Sequence, residues 1–204
     1  METHSIETAG AEIVYDIADA QNGADGHPPL VMIGQPMDAS GFRALASYLP
    51  DRVVVTYDPR GLGRSTRSDG EVTNTPTVQA EDVHAIITAL GAGPVDMFAS
   101  SGGAVTALAL VADPLLSERS IAITGHRPDI DALKAAPTRI VIGVGEESDG
   151  IFTGRTSAAV AQLLETEAIV FPSHHGGFAA EDSGYPGHPE AFARRLRDVL
   201  DERG

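Results

Sequence analysis

The strongest chemical signal in the chain is a short serine-containing turn, Phe98-Ala99-Ser100-Ser101-Gly102-Gly103. Apolar residues typical of a strand precede this turn, and apolar residues typical of a helix follow it. A serine at such a strand-to-helix junction, a nucleophile elbow, takes strained backbone angles, so the residues two before and two after it must be small. Ala99 and Gly103 meet this condition around Ser101, and we therefore predict that Ser101 is a nucleophile. Ser100 fits less well, because Phe98 would then occupy one of the two flanking places.

The same turn could instead bind a phosphate group, or serve packing alone. Glycine-rich phosphate-binding loops carry a Gly-Lys-Ser/Thr sequence or a Gly-x-Gly-x-x-Gly spacing after the strand. Neither pattern is present at positions 98–103. The turn therefore favours nucleophilic catalysis over phosphate binding.

The overall composition narrows the classes of function. The chain has 204 residues, of which 42% are hydrophobic and 21% charged, and this fits a single domain over 1–204. A net charge of −15 disfavours nucleic acids and anionic membranes as partners, because both would be repelled. The lack of cysteine excludes disulfides and thiolate sites. The longest apolar helical run, 104–112, is too short to span a bilayer and no signal-peptide pattern is visible, so we expect a cytoplasmic protein.

Strand-like and helix-like segments alternate along most of the chain. The predicted strands are 6–8, 12–17, 30–33, 52–57, 95–98, 121–124, 139–144 and 168–171, the first two forming a hairpin. The predicted helices are 40–49, 77–90, 104–112, 157–165 and 189–200. Strands separated by helices predict an α/β fold with a mostly parallel central sheet and helices on both faces.

Three motifs together carry a resemblance to the α/β-hydrolase fold superfamily over nearly the whole chain. They are Ile33-Gly34-Gln35-Pro36, where that family usually has His-Gly-x-Pro, Asp58-Pro59-Arg60-Gly61-Leu62-Gly63-Arg64-Ser65, and the elbow around Ser101. Their order and spacing match the family's esterase- and lipase-like branch. The resemblance implies that the second motif is structural and that the third holds the nucleophile. A helical cap is common in this superfamily, but residues 125–138 leave no room for one, so we expect a minimal fold without a cap domain.

The resemblance also implies an oxyanion hole and a histidine base. The oxyanion hole would consist of the backbone amides of Gln35 and Gly102. The base would lie in the small-residue loop after the last strand, within 171–178. His175 matches that place best because glycines follow it, and His174 is the alternative.

The acid of the triad is the least determined member. The family's usual place is the loop at 145–150, which reads Gly-Glu-Glu-Ser-Asp-Gly here. Counting from the first glycine puts Ser148 at the acid's position, while a shift of one residue brings Asp149 or Glu147 there. We favour Asp149, with Glu147 next and Asp129 after the sixth strand as a third choice. A dyad without an acid would also work, since the acid orients the imidazole and makes no bond to the substrate.

These residues predict a serine hydrolase that cleaves small-molecule carboxylic esters through an acyl-enzyme. The mechanism requires neither a cofactor nor a metal. Two alternatives stay open: a cofactor-free haloperoxidase or perhydrolase activity of the same triad, and a non-catalytic binding protein that keeps the fold. A pocket without a cap could be covered by a second subunit, so a homodimer is a further expectation.

Overall fold

The computed structural model describes residues 1–21, 26–91, 93–112 and 128–202, and its largest sheet lies in the N-terminal half. Its strands are β1 (Glu2–Thr8), β2 (Ala11–Ala18), β3 (Leu30–Gln35), β4 (Val54–Tyr57), β5 (Thr66–Arg67) and β6 (Asp96–Ser101). They pair in the order β1-β2-β4-β3-β6, and β5 pairs with β2. The chain divides into two compact units, Met1–Ser40 with Pro50–Leu133 and Gly41–Leu49 with Lys134–Gly204. The expected single domain over 1–204 stays a prediction.

The centre of the first unit is β3, which runs parallel to both β4 and β6. Its residues Leu30 to Ile33 are each at most 1% exposed, as expected for a parallel strand that is covered on both faces. β1 and β2 form the predicted antiparallel hairpin around Gly10, which has a φ of 77°. A glycine takes this left-handed conformation without steric cost.

Two helices of the first unit, α2 (Pro76–Ala89) and α3 (Gly102–Ala112), lie close to their predicted bounds. The unit also contains the start of α4 (Ile130–Ala135), a helix that the sequence did not predict. Thr75 caps α2, since its side chain accepts a hydrogen bond of 3.3 Å from the Val78 amide, and Pro76 occupies the first helical position. Helix α3 begins immediately after β6, so the strand passes into the helix with no connecting residue.

The motif at 58–65 is a hydrogen-bonded scaffold. Buried Asp58 accepts hydrogen bonds from the Ala39 amide (3.0 Å) and from both the amide (2.8 Å) and Nε (2.7 Å) of Arg64. Burial acts to raise the pKa of Asp58, but these hydrogen bonds outweigh it and hold that pKa below its usual range. Arg60 is 1% exposed and forms a bidentate pair with Asp82 at 2.7 and 2.6 Å. These contacts agree with a structural role.

The second unit contains α1 (Arg43–Ser47), β7 (Gly143–Gly145), α5 (Phe152–Leu163), β8 (Ile169–Phe171) and α6 (Pro189–Asp201). β7 and β8 form a parallel pair. Three phenylalanine rings pack in series: Phe171 lies 4.7 Å from Phe192, which lies 5.7 Å from Phe178. Helix α6 buries Phe192, Leu196 and Val199 at helical spacing, as the sequence predicted.

Some element bounds differ from those predicted. The strand predicted at 139–144 is β7, which has three residues and pairs along its whole length with β8. The segment predicted as a helix at 40–49 is a 3₁₀ turn at Ala39–Phe42 followed by the short α1. The strand predicted at 121–124 lies outside the described residues. Within the described ranges, no helix has the length and apolar character needed to cross a membrane.

Candidate active site

Ser101 is the last residue of β6 and has a φ of 56°. This is the left-handed region of the backbone map, which is costly for a residue with a side chain and is concentrated at functional turns. The residue is exposed, whereas its neighbour Ser100 is buried at 9% exposure. The turn therefore presents the Ser101 side chain outward at the junction of strand and helix.

Close backbone packing holds this turn. A Cβ added to Gly103 would lie 2.7 Å from the carbonyl oxygen of Ile33 and 2.8 Å from the Cα of Gly34. A Cβ on Gly102 would lie 2.9 Å from the Cβ of Gln35. The first turn of α3 thus rests directly on β3, and this explains why the residue two places after Ser101 has to be glycine.

The two predicted oxyanion donors lie beside Ser101. Gln35 is the register partner of Ser101 in the parallel ladder between β3 and β6. Gly102 is the first residue of the eleven-residue helix α3. A helix N-terminus has free amides and a positive dipole end, so it favours a developing negative charge.

The loop that follows β8, residues 172–177 (the histidine loop), carries both candidate bases. The Nδ1 atom of His174 accepts a hydrogen bond of 3.0 Å from the Gly176 amide, and its Nε2 lies 2.8 Å from the Pro186 carbonyl oxygen. A ring nitrogen that accepts from an amide carries no proton, so Nε2 must be the donor to Pro186. The His174 ring also packs against the Tyr185 ring, with centroids 3.8 Å apart and planes tilted by 34°. His174 is therefore fully engaged by its surroundings.

His175 is in a different position. The residue is exposed, and its ring has no hydrogen-bond partner in the part of the chain that the structure describes. Burial of part of the ring, together with the neighbouring His174, lowers the pKa of His175 below its usual 6.5. His175 is consequently neutral at pH 7 and free to accept a proton, and this geometry favours it over His174 as the base.

The candidate acids occupy residues 146–150, the acidic loop, which follows β7 and lies against the histidine loop. The Glu147 amide donates to the Ser173 carbonyl oxygen at 3.1 Å, and the Ser173 amide donates to Oε1 of Glu146 at 3.1 Å. A Cβ on Gly145 would lie 2.6 Å from that same Ser173 oxygen. The two loops meet because β7 and β8 are parallel neighbours whose carboxyl ends share one edge.

The two predicted acids of the acidic loop, Glu147 and Asp149, have carboxylates without a described hydrogen-bond partner. Glu147 and Asp149 are exposed, and among the described residues neither carboxylate forms a hydrogen bond or ion pair. Ser148, where counting places the acid, is 1% exposed and its hydroxyl has no partner in the described chain. Asp129 accepts a 3.0 Å hydrogen bond from the Ala132 amide, as a cap of α4 does. The sequence did not single out Glu146, whose carboxylate accepts a hydrogen bond from the amide of Ser173, 27 positions away.

The structure thus brings the predicted residues together in two sets. Ser101, Gln35 and Gly102 lie in the first unit, and His175 with the acidic loop lies in the second. No group of three His, Cys, Asp or Glu residues in the described ranges could hold a metal ion.

Comparison with known proteins identifies the fold. A family model described as alpha/beta hydrolase fold matches residues 28–165. The uncharacterized hydrolase YraK of Bacillus subtilis (strain 168) is 23% identical over 273 aligned positions, which cover 97% of this chain and 96% of YraK. Because 97% of the 204 residues is about 198, about 75 of the 273 aligned positions are YraK residues that have no counterpart here.

Two solved structures match nearly the whole chain. A thermophilic esterase from Thermogutta terrifontis has a TM-score of 0.72 at 17% identity and 98% coverage of both chains. The N-acyl homoserine lactonase AidH has a TM-score of 0.72 at 14% identity, covering 98% of this chain and 97% of its own. Against several epoxide hydrolase structures the chain spans 38% of their length, with TM-scores of 0.47 and 0.48. The family match covers well over half of the sequence, so the chain belongs to the alpha/beta hydrolase fold family.

Proposed function

We propose that this chain is a serine hydrolase that cleaves small carboxylic esters. The observation that carries the proposal is the backbone of Ser101: a non-glycine residue with a φ of 56°, exposed at the end of β6 and followed directly by a helix N-terminus. Such strain is retained where the surrounding structure requires it, and a purely structural turn would accept glycine here.

In the proposed reaction, Oγ of Ser101 attacks the ester carbonyl carbon while a ring nitrogen of His175 accepts its proton. The backbone amides of Gln35 and Gly102 donate to the oxyanion of the tetrahedral intermediate, and each such donor is typically worth about 3 kcal/mol. His175 then gives the proton to the leaving alkoxide, which departs as an alcohol and leaves an acyl-enzyme. A water molecule, deprotonated by His175, repeats the attack and releases the carboxylic acid.

Two features support an ester as the substrate. Two of the solved structures that match nearly the whole chain, and nearly the whole of their own length, are named as an esterase and a lactonase. Both names denote cleavage of ester bonds. The alignment with YraK also leaves about 75 of its 273 positions without a counterpart in this chain, in agreement with a fold that has no cap and therefore an open pocket for varied esters. For the acid we propose Asp149, with Glu147 as the alternative.

The test is hydrolysis of p-nitrophenyl acetate and butyrate by wild type and by Ser101→Ala and His175→Ala. We expect both variants to lose about three orders of magnitude or more in kcat/KM, since members of a triad act as a unit. Ser100→Ala is the matched control and should keep most of the activity, because the neighbouring serine is not the nucleophile.

Two further arms separate the alternatives. Asp149→Ala and Glu147→Ala identify the acid by the larger loss, and equal small losses would indicate a dyad. Labelling with a fluorophosphonate probe should occur in wild type and be absent from Ser101→Ala. A folded wild type that neither turns over an ester nor reacts with the probe would contradict the proposal and favour a binding protein.

A further inference from the structure

The histidine loop contains a second strained residue, Ser173, which lies two positions before His175. Its φ is 69° and it is 2% exposed. A non-glycine residue keeps this conformation only when its surroundings determine it. What holds Ser173 therefore also determines where the chain places His175.

We infer that Glu146 is a positioning residue for His175, because its carboxylate holds Ser173 in the left-handed conformation. The inference rests on the proposed function, in which His175 is the base. Glu146 is not itself offered as the acid of the triad, since its Oε1 is engaged by the Ser173 amide at 3.1 Å.

Two hydrogen bonds clamp Ser173 on both sides of its Cα. The carboxylate of Glu146 accepts from the amide of Ser173, and the amide of Glu147 donates to its carbonyl oxygen at 3.1 Å. The second bond is between backbone groups and survives any substitution that keeps the fold. The first depends on one side chain, and an amide bound to a carboxylate is a strong, charge-assisted contact.

The other end of the histidine loop is fixed independently. The Gly177 amide donates to the carbonyl oxygen of His174 at 2.9 Å, and the His188 amide donates to the carbonyl oxygen of Gly177 at 2.8 Å. His175 consequently lies between two anchored points, one of which is set by Glu146. Loss of that anchor would let the peptide of Ser173 rotate and redirect the imidazole.

The first measurement compares the kinetics of Glu146→Ala and Glu146→Gln with wild type on p-nitrophenyl acetate. We expect Glu146→Ala to lower kcat by roughly ten- to a hundredfold with KM changed less than about twofold, since small misplacements of a reacting group cost factors of this size. Glu146→Gln keeps an acceptor oxygen for the Ser173 amide and should retain activity within about threefold. Glu167→Ala is the matched control, because Glu167 is exposed and has no partner in the described chain.

The second measurement, an NMR titration of the His175 ring, needs no turnover. Partial burial keeps the pKa of His175 below 6.5 in the folded protein, so a loosened loop should move it towards that value in Glu146→Ala but not in Glu167→Ala. The Ser173 amide should also exchange with solvent deuterium more slowly in wild type and in Glu146→Gln than in Glu146→Ala, because only the first two offer it an acceptor oxygen.

The two measurements fail in distinguishable ways. An inactive wild type whose His175 pKa still rises in Glu146→Ala would contradict the proposed function and support the positioning role. An active wild type in which Glu146→Ala matches Glu167→Ala in kcat and in His175 pKa would overturn the inference. Equal exchange rates of the Ser173 amide in Glu146→Ala and in wild type would overturn it as well. If Glu146→Ala does not fold, the same measurements are made on Glu146→Leu, which fills similar space without an acceptor oxygen.

Discussion

The turn that carries Ser101 and the histidine loop that carries His175 each hold one side chain in a fixed direction, and they do so by different means. At Ser101 the fit is steric: Gly103 lies so close to the backbone of Ile33 that no Cβ could be accommodated. In the histidine loop the fit depends on hydrogen bonds that backbone amides donate to two side chains, the carboxylate of Glu146 and the imidazole of His174. Both segments contain a serine with positive φ, but only the second is anchored by groups that titrate.

The difference indicates which kind of change each of the two segments is sensitive to. Steric contact between buried backbone atoms does not depend on pH, and it tolerates no added volume. Hydrogen bonds to a carboxylate or an imidazole depend on protonation and can be lost without any change in volume. We therefore expect substitutions that add side-chain volume to damage the serine turn most. Changes of side-chain charge or of pH should act mainly through the histidine loop.

The largest effect is expected for Gly103→Ala. The new Cβ would meet the Ile33 carbonyl oxygen at 2.7 Å, within a strand that is buried on both faces and has little room to move. We expect a loss of at least about a hundredfold in kcat/KM on p-nitrophenyl acetate and of about 1–3 kcal/mol in unfolding free energy from urea titration. Gly184→Ala is the control, because nothing lies within 4 Å of its added Cβ. Near-wild-type activity of Gly103→Ala would show that sterics do not hold the turn.

A smaller loss of activity is expected for Gly145→Ala, which disturbs the contact between the acidic loop and the histidine loop. Its Cβ would meet the Ser173 carbonyl oxygen at 2.6 Å and the His174 carbonyl carbon at 2.7 Å. Because this clash falls between two loops with exposed residues, we expect them to separate and to lower kcat by about tenfold. The same assay with the same Gly184→Ala control measures it. A loss larger than that of Gly103→Ala would reverse the proposed order of rigidity.

The pH dependence of kcat/KM should arise from His175 in the histidine loop. His175 acts as a base only when neutral, and burial together with His174 holds its pKa below 6.5. We therefore expect kcat/KM to rise with pH through a midpoint below 6.5 and then to reach a plateau. Residual activity of Gly103→Ala should show the same midpoint, because that substitution leaves the histidine loop intact. A midpoint above 6.5 in wild type would contradict the assignment of His175.

The smallest effect is expected at Tyr185, whose ring packs against that of His174 with centroids 3.8 Å apart. Tyr185→Ala removes one contact from a ring that two hydrogen bonds still hold, and an aromatic pair contributes about 0.5–1.5 kcal/mol. We expect a two- to fivefold loss in kcat, corresponding to about 0.4–1 kcal/mol. Tyr185→Phe keeps the ring and should match wild type. Equal losses in both variants would show that the hydroxyl, and not the packing of the ring, is what matters.

Local patterns in the sequence were enough for most of the elements and for the serine turn, but not for β5, for α4 or for the 3₁₀ turn that precedes α1. The apolar run at 30–33 predicts the strand β3, and the turn around Gly10 predicts the hairpin of β1 and β2. The spacing of Phe192, Leu196 and Val199 predicts the buried face of α6. The family followed from motifs that are each contiguous in the chain. The place of glycine two residues after Ser101 was also predictable, because the constraint acts within one tight turn.

Contacts between distant residues could not be predicted in this way. The role of Glu146 depends on a hydrogen bond to Ser173, 27 positions away, and exists only because parallel β7 and β8 place their two loops side by side. The engagement of His174 by Pro186 is likewise set by the path of the chain after the histidine loop. Chemistry within one turn is thus determined by the sequence itself, because its geometry is local. Which titratable groups are held and which stay free was decided by the tertiary structure, because hydrogen-bond partners are set by packing between elements.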